Sequence, residues 1–301
     1  MKIALLTQPG FLRPVPGNAY VENILLEDRI LAESLSKAGL ESMRLSWDRK
    51  DTDWSEFGLA IFRSTWDYYH RFAEFSAWLA DTEKKVRFLN EPELVRWNWD
   101  KLYLRDLQSW GLPIPPTLFI PKNSDKSLEQ WIESVDWQEF VLKPSVGGGG
   151  RHTYRFGREI PHSVSGIFSQ LNEQEAFLLQ EFQSSVLHKG EVSLMVMDGK
   201  FTHAIQKKAR PGDFRVQDDF GGTVHPYAAS PMETEFAEQV FSSLKIKALY
   251  GRVDVIWDTK GQACISELEL IEPELWFRNY PPSADVLAHA IAARMQNEKI
   301  P

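Results

Sequence analysis

Cysteine is nearly absent from this chain. Of 301 residues only Cys264 carries a thiol, which excludes an intrachain disulfide and any zinc site built from clustered cysteines. The seven histidines show neither HxxxH nor HxH spacing, so none is assigned to a metal. Long apolar runs are missing too. Nowhere do about 18 apolar residues follow one another, the length a membrane helix needs, and Ile3-Ala4-Leu5-Leu6 after Met1-Lys2 is too short for a signal-peptide core. A soluble, cytoplasmic protein is expected. Positive charge is in deficit, with 34 Lys and Arg against 42 Asp and Glu and a net charge of −8. That leaves no basic footprint for nucleic acid or an anionic membrane surface, and makes small molecules the expected partners. There is no internal repeat and no low-complexity tract.

What is present is ordinary globular material, 43% hydrophobic and 25% charged, in a length that predicts about two domains. Lys2 to Thr7 reads as a buried parallel strand. Asn18 caps and Gly39 ends a helix with an apolar stripe at Ile24, Leu25, Leu31, Leu35 and Ala38. Ser42 to Trp47 and Leu59 to Phe62 complete a β-α-β-like opening. Arg63-Ser64-Thr65-Trp66-Asp67-Tyr68-Tyr69 then follows a strand at its carboxyl end, where open α/β sheets bind ligands; a loop whose aromatics merely cover the sheet is the plainer alternative. Asn98 is expected to cap a helix running to Gly111, and Pro113, Pro115 and Pro116 place a domain boundary there.

Three later stretches carry chemistry. Phe140-Val141-Leu142-Lys143-Pro144 reads as a strand feeding Gly147-Gly148-Gly149-Gly150, whose exposed N–H groups can surround an anion. It is no Walker A loop, because the lysine precedes the glycines; a flexible hairpin tip is the alternative. The loop 211–222 is polar and bounded by glycines, and its Arg215 can meet a phosphate. Finally, 252–257 and 262–269 read as a hairpin. A turn centred on Thr259-Lys260 sets Arg252 opposite Glu267 and Asp254 opposite Ile265, with Cys264 pointing away as a buried thiol. Arg252, Asp254, Glu267 and Glu269 then share one face. Diagonal neighbours on such a face lie roughly 7–8 Å apart, within bridging distance of a hard divalent cation. A solvated edge whose charges discourage pairing is the alternative.

Taken in order, Asn98…Asp100-Lys101, Val141-Leu142-Lys143-Pro144 with its glycines, Gln180-Glu181-Phe182, Glu191, Arg252-Val253-Asp254 and Glu267-Leu268-Glu269 resemble the ATP-grasp superfamily of ligases. The resemblance covers more than half the chain. Trp66-Asp67-Tyr68, Trp97-Asn98-Trp99-Asp100-Lys101, the segment 212–217 and 269–275 look most like the O-ureido-serine cyclo-ligase branch near glutathione synthetases. The fold class this implies is α/β (α+β): a Rossmann-like N-terminal domain over 1–112, a small lid subdomain over 113–189 and a C-terminal subdomain over 190–301 with the metal site. The cofactors implied are ATP and Mg²⁺, one ion or two, with Mn²⁺ as a substitute. Lys101 and Lys143 would hold phosphates and Gly147, Gly148, Gly149 and Gly150 close over them. Glu181 and Phe182 would meet adenine, and Glu191 the ribose hydroxyls. Asp254, Glu267 and Glu269 would bind metal, while Arg252 and Arg215 stabilise the transferred phosphoryl group. Glu269 departs from the asparagine that many members carry. The implied activity joins a small-molecule carboxylate to an amine through an acyl phosphate, or closes a ring. A nucleotide-binding module without catalysis and a ligase acting on a peptide or protein terminus are the alternatives. The resemblance fixes neither the acid nor the amine, and a homodimer stays open.

Overall fold

The computed structural model describes residues 2–13, 15, 17–216 and 221–297. Gln217, the end of the 212–217 segment, lies outside the described residues. The chain opens with β1 (Lys2–Thr7), α1 (Ala19–Lys37), β2 (Glu41–Ser46), β3 (Phe57–Ser64), α2 (Phe72–Thr82) and β4 (Phe88–Leu89). These strands form a parallel sheet of order β2-β1-β3-β4. Ile3, Ala4, Leu5 and Leu6 are all buried, as parallel strands covered on both faces require. The Asn18 side chain accepts from Val21 N at 3.2 Å and caps α1. Past its end, Gly39 takes φ +78° and Leu40 N closes on Leu35 O at 2.9 Å, the left-handed stop expected of glycine there.

Asn98 is not a helix cap. It ends α3 (Pro92–Asn98), and α4 (Tyr103–Ser109) begins only after a turn. Its amide is used across the fold: Nδ2 donates to Leu268 O at 2.8 Å and Oδ1 accepts from Leu270 N at 2.9 Å. Two buried backbone groups with no other side-chain partner among the described residues outbid a local cap.

A second sheet holds β5 (Thr117–Ile120), β6 (Glu139–Pro144), β7 (Tyr154–Gly157) and β8 (Phe177–Glu181) in the order β5-β8-β6-β7. Helices α5 (Leu128–Glu133) and α6 (His162–Asn172) pack on it through Leu128, Ile132, Val164 and Phe168. Strand β6 alternates: Phe140 and Leu142 enter that core, so Val141 and Lys143 turn to the other face.

After α7 (Ser185–His188) the third sheet comprises β9 (Glu191–Met197), β10 (Lys200–Lys208), β11 (Thr223–Tyr227), β12 (Tyr250–Trp257) and β13 (Ala263–Glu269), ordered β11-β10-β9-β12-β13. One face carries Leu194, Val196, Val253 and Val255 into a core shared with α4 and α8 (Pro231–Ser243). The other carries Met195, Met197, Ile205 and Tyr250 against α9 (Pro282–Asn297) and the first sheet. Among the described residues no helix is long and apolar enough to cross a membrane.

The β12–β13 hairpin corrects the expected register. Trp257 pairs with Ala263, so the connection is one residue longer than the expected turn, and a bulge at Ser266 adds a second residue. Arg252 therefore faces Glu269 and Asp254 faces Glu267. Two shifts of one residue restore the parity of side-chain direction, so the four charged groups still share a face. Between turn and bulge the parity is reversed: Cys264 pairs with Ile256 and stands on the carboxylate side, not away from it. It is buried all the same, and burial raises its thiol pKa to about 11.

Candidate active site

The second and third sheets and the loop after β3 enclose a cleft of about 480 Å³. The residues given a nucleotide, metal or phosphoryl role from the sequence line it: Lys101, Lys143, Gly147, Gly148, Gly149, Gly150, Glu181, Phe182, Glu191, Arg215, Arg252, Asp254, Glu267 and Glu269. So do Trp66, Asp67 and Tyr69 of the loop after β3.

The cleft floor is an extension of a hydrophobic face. Along β9 the side chains of Met197, Met195, Ser193 and Glu191 point the same way, and their cross-strand partners on β12 and β10 include Tyr250, Arg252, Asp254, Ile205 and Lys207. One end of this face is therefore apolar and packed on α9, while the other end is charged and open to the cleft. Charge at that end is tightly matched. Arg252 binds both oxygens of Asp254 (Nε–Oδ1 2.8 Å, Nη2–Oδ2 2.8 Å) and also reaches Glu269 Oε1. Ser193 Oγ donates to Asp254 Oδ1 at 2.5 Å. Lys207 Nζ lies 2.5 Å from Glu191 Oε1 and 3.3 Å from Asp254 Oδ2. Ser266 Oγ, on the bulge, donates to Glu191 Oε2 at 2.8 Å. Lys101 Nζ stands 2.9 Å from Glu267 Oε1 and donates to Gly147 O, while its backbone N–H donates to Ser145 O at 2.7 Å.

These neighbours set the protonation states. Burial opposes ionisation of Asp254, but Arg252 and Lys207 outweigh it and bring its pKa down to about 2. Burial likewise works against Lys207, yet Asp254 and Glu191 hold its pKa above the usual lysine value. Glu267 is pulled below the normal carboxylate range, Lys101 and Lys143 overcoming its burial. Glu269 goes the other way: burial, with Asp254 and Glu267 close by, pushes it well up despite Arg252. Lys143 is lowered by burial and by the neighbouring charge of Lys101. Glu272, which also lines the cleft, rises to about 8 through burial and the charge of Glu267.

Among the described residues no three His, Cys, Asp or Glu side chains stand in ligating geometry. The carboxylates are engaged instead by Lys101, Arg252 and Lys207. Asp254 has both oxygens saturated, whereas Lys101 and Arg252 each take only Oε1 of Glu267 and Glu269. The donor set still fits a hard cation. Burial first, and then the charges of Asp254, Glu267 and Glu272, disfavour Glu269 as an anion, and a divalent ion would relieve both. Arg215 lines the cleft, but its guanidinium forks onto Asp213 (Nε–Oδ1 3.1 Å, Nη2–Oδ2 2.9 Å).

Sequence reasoning passed over Lys207, Glu272 and Trp276. Lys207 had a signal, since a lysine ending an apolar strand needs a partner as much as Lys143 does. Trp276 had none. It lines the cleft with φ +45°, its buried Nε1 has no hydrogen-bond partner among the described residues, and the Arg252 guanidinium lies 5.0 Å from its ring centroid.

Known proteins resemble this chain along both halves. Residues 3–90 match the family described as "D-cycloserine synthetase DcsG, N-terminal domain", and residues 100–267 match "Prokaryotic glutathione synthetase, ATP-grasp domain". The cycloserine biosynthesis protein DcsG of Streptomyces lavendulae is 30% identical over 280 residues, 88% of this chain and 93% of that protein. A glutathione synthetase of Agrobacterium fabrum is 25% identical over 177 residues, covering 58% of this chain and just over half, 53%, of the synthetase. The crystal structure of D-cycloserine synthetase DcsG superposes with a TM-score of 0.83 at 28% identity, over 98% of this chain and 99% of that one. The chain belongs to the ATP-grasp family of ligases that form C–N bonds, in the branch of D-cycloserine synthetase and the glutathione synthetases.

Proposed function

We propose that this protein joins a carboxylate to an amine through an acyl phosphate, on an amino-acid-like or small-peptide substrate, and that it closes a ring within one molecule. The observation that carries the ligase reading is the paired floor of the cleft, above all Lys101 held between Glu267 and the carbonyl of Gly147. The likeness to D-cycloserine synthetase along nearly the whole chain supports ring closure.

In this reading residues 113–189 act as a lid, 190–301 as the base and 1–112 as the substrate side. Lys101 and Lys143 bind phosphate oxygens of ATP, under the turn formed by Gly147 to Gly150. Glu181 and Phe182 meet the adenine, and Glu191 the ribose. Glu267, once Lys101 turns to phosphate, would hold Mg²⁺ or Mn²⁺ together with Glu269 and Asp254. Such an ion would supply charge neutralisation at the phosphoryl oxygens. Arg252, and Arg215 once released from Asp213, face the phosphoryl group as it passes to the substrate carboxylate. The protein positions and screens charge; no side chain forms a covalent bond. An amine then attacks the acyl carbon, the C–O bond to phosphate breaks, and the amine's proton leaves to solvent. The proposed location is the cytoplasm.

The test is an ATP-hydrolysis screen over amino acids, dipeptides and ureido- or aminooxy-amino acids with product mass as readout. A product of substrate mass minus water supports cyclisation. A product joining two substrates replaces it with ordinary ligation, and phosphate release indifferent to every added acid overturns the ligase reading.

A further inference from the structure

Gly148 has a backbone conformation that any residue adopts, for its φ is not among the positive values that mark Gly149 (+54°) and Gly150 (+69°). Its lack of a side chain has another cause. A Cβ on Gly148 would stand 2.8 Å from Cε1 and 3.3 Å from Cδ1 of Tyr69, and one on Gly149 would stand 3.1 Å from the Tyr69 hydroxyl. The tyrosine ring stands against the glycine loop, so a methyl group on Gly148 would have to push it aside.

The ring has a firm base. Tyr69 packs edge-on against Tyr68 (5.6 Å between centroids, 86°), which is buried on Phe75. Asp67 accepts from Trp47 Nε1 at 2.8 Å and from Arg71 at 3.0 Å. Trp66 Nε1 donates to Glu272 O at 2.8 Å, on the far wall of the cleft. The segment 65–71 is thus fixed to the N-terminal sheet and to the chain after β13, and Tyr69 projects from it onto a loop of the second sheet. That loop is also held by Lys101 on Gly147 O, and by Arg151, which bonds Val146 O and forks onto Glu175.

We propose that Tyr69 is a positioning residue: its ring latches the glycine loop shut over the nucleotide, and Gly148 lacks a side chain in order to receive it. The latch rests on the nucleotide reading above and adds to it a mechanical link from the substrate side of the cleft to the lid. A closed loop excludes water from the acyl phosphate, so the link ties lid closure to an ordered substrate wall.

The test is trypsin cleavage after Arg151, read by peptide mass, in the full-length protein with and without Mg·AMP-PNP. In wild type the nucleotide is expected to slow this cleavage by about tenfold. Tyr69→Ala should lose that protection, Tyr69→Phe should keep it, and Gly148→Ala should lose it in the presence of the tyrosine. Adding Gly148→Ala to Tyr69→Ala should then change nothing, because the methyl group has no ring to strike. Should Tyr69→Ala lack a cooperative thermal transition, Tyr69→Leu takes its place. Protection that survives in Tyr69→Ala, or effects of the two substitutions that multiply, overturns the latch alone. Absence of protection in wild type overturns the nucleotide reading and the latch with it.

Discussion

Arg252 and Asp254, two positions apart on β12, form a bidentate pair in which both contacts are 2.8 Å and neither side chain is more than a few per cent exposed. Such proximity is a property of strands: residues i and i+2 share a face. The pair makes Asp254 structural as well as functional, which separates it from Glu267. Asp254→Asn leaves Arg252 and Lys207 short of a buried counter-charge and should cost about 3 kcal/mol in urea unfolding. Glu267→Gln, at a more open position, should keep stability within about 1 kcal/mol while abolishing ATP-dependent phosphate release. Full activity in Glu267→Gln removes the metal assignment.

Lys207 joins Glu191 to Asp254 from the neighbouring strand. Replacing it with methionine leaves Glu191 without its cation, and a neutralised or displaced Glu191 is a poor ribose acceptor. Calorimetry should show ADP binding weakened by about tenfold or more in Lys207→Met. Lys208→Met is the control: that side chain is exposed, and affinity should not move.

Asn98 satisfies Leu268 O and Leu270 N, which flank Glu269. Asn98→Ala should destabilise the protein by about 2–3 kcal/mol, one unmet buried backbone group at each contact. Because the strand it steadies carries Glu267 and Glu269, phosphate release should fall as well. A thermal melt unchanged in this variant would show the two bonds to be dispensable.

His203 is buried with Nε2 unpartnered among the described residues, and burial lowers its pKa from 6.5 to about 4. The unfolded chain takes up this proton near pH 6.5, the folded chain only near 4. Between those values unfolding binds a proton, so stability is fully present above about pH 6.5 and declines as pH falls toward 4, by at most about 3 kcal/mol. Urea midpoints across that range should show the decline, and His203→Gln should flatten it.

Gly251 sits where β12 crosses Leu270 and Phe241. A Cβ there would stand 2.5 Å from Leu270 Cδ2, 2.7 Å from Glu269 O and 2.9 Å from Phe241 Cζ. Gly251→Ala should therefore cost about 3 kcal/mol through overpacking and displace Glu269. Wild-type melting and activity together would contradict so close a packing.

The sequence alone determined which face of its strand many of the charged side chains take. Alternation put Arg252, Asp254, Glu267 and Glu269 on one face of a hairpin. Period-two geometry is local and survives any later packing. The β-α-β opening was legible for the same reason, as was the glycine stop of α1. Tertiary structure decided everything that depends on partners distant in sequence. It gave Asn98 to Leu268 and Leu270 rather than to its own helix, and turned Cys264 to the carboxylate side through a longer turn and a bulge. It brought Lys207 between Glu191 and Asp254, and laid Tyr69 on Gly148 from 79 residues away. A side chain's own chemistry is written in its residue type, but which charge neutralises it, and which ring fills the space a glycine leaves, is settled only when strands from opposite ends of the chain are packed together.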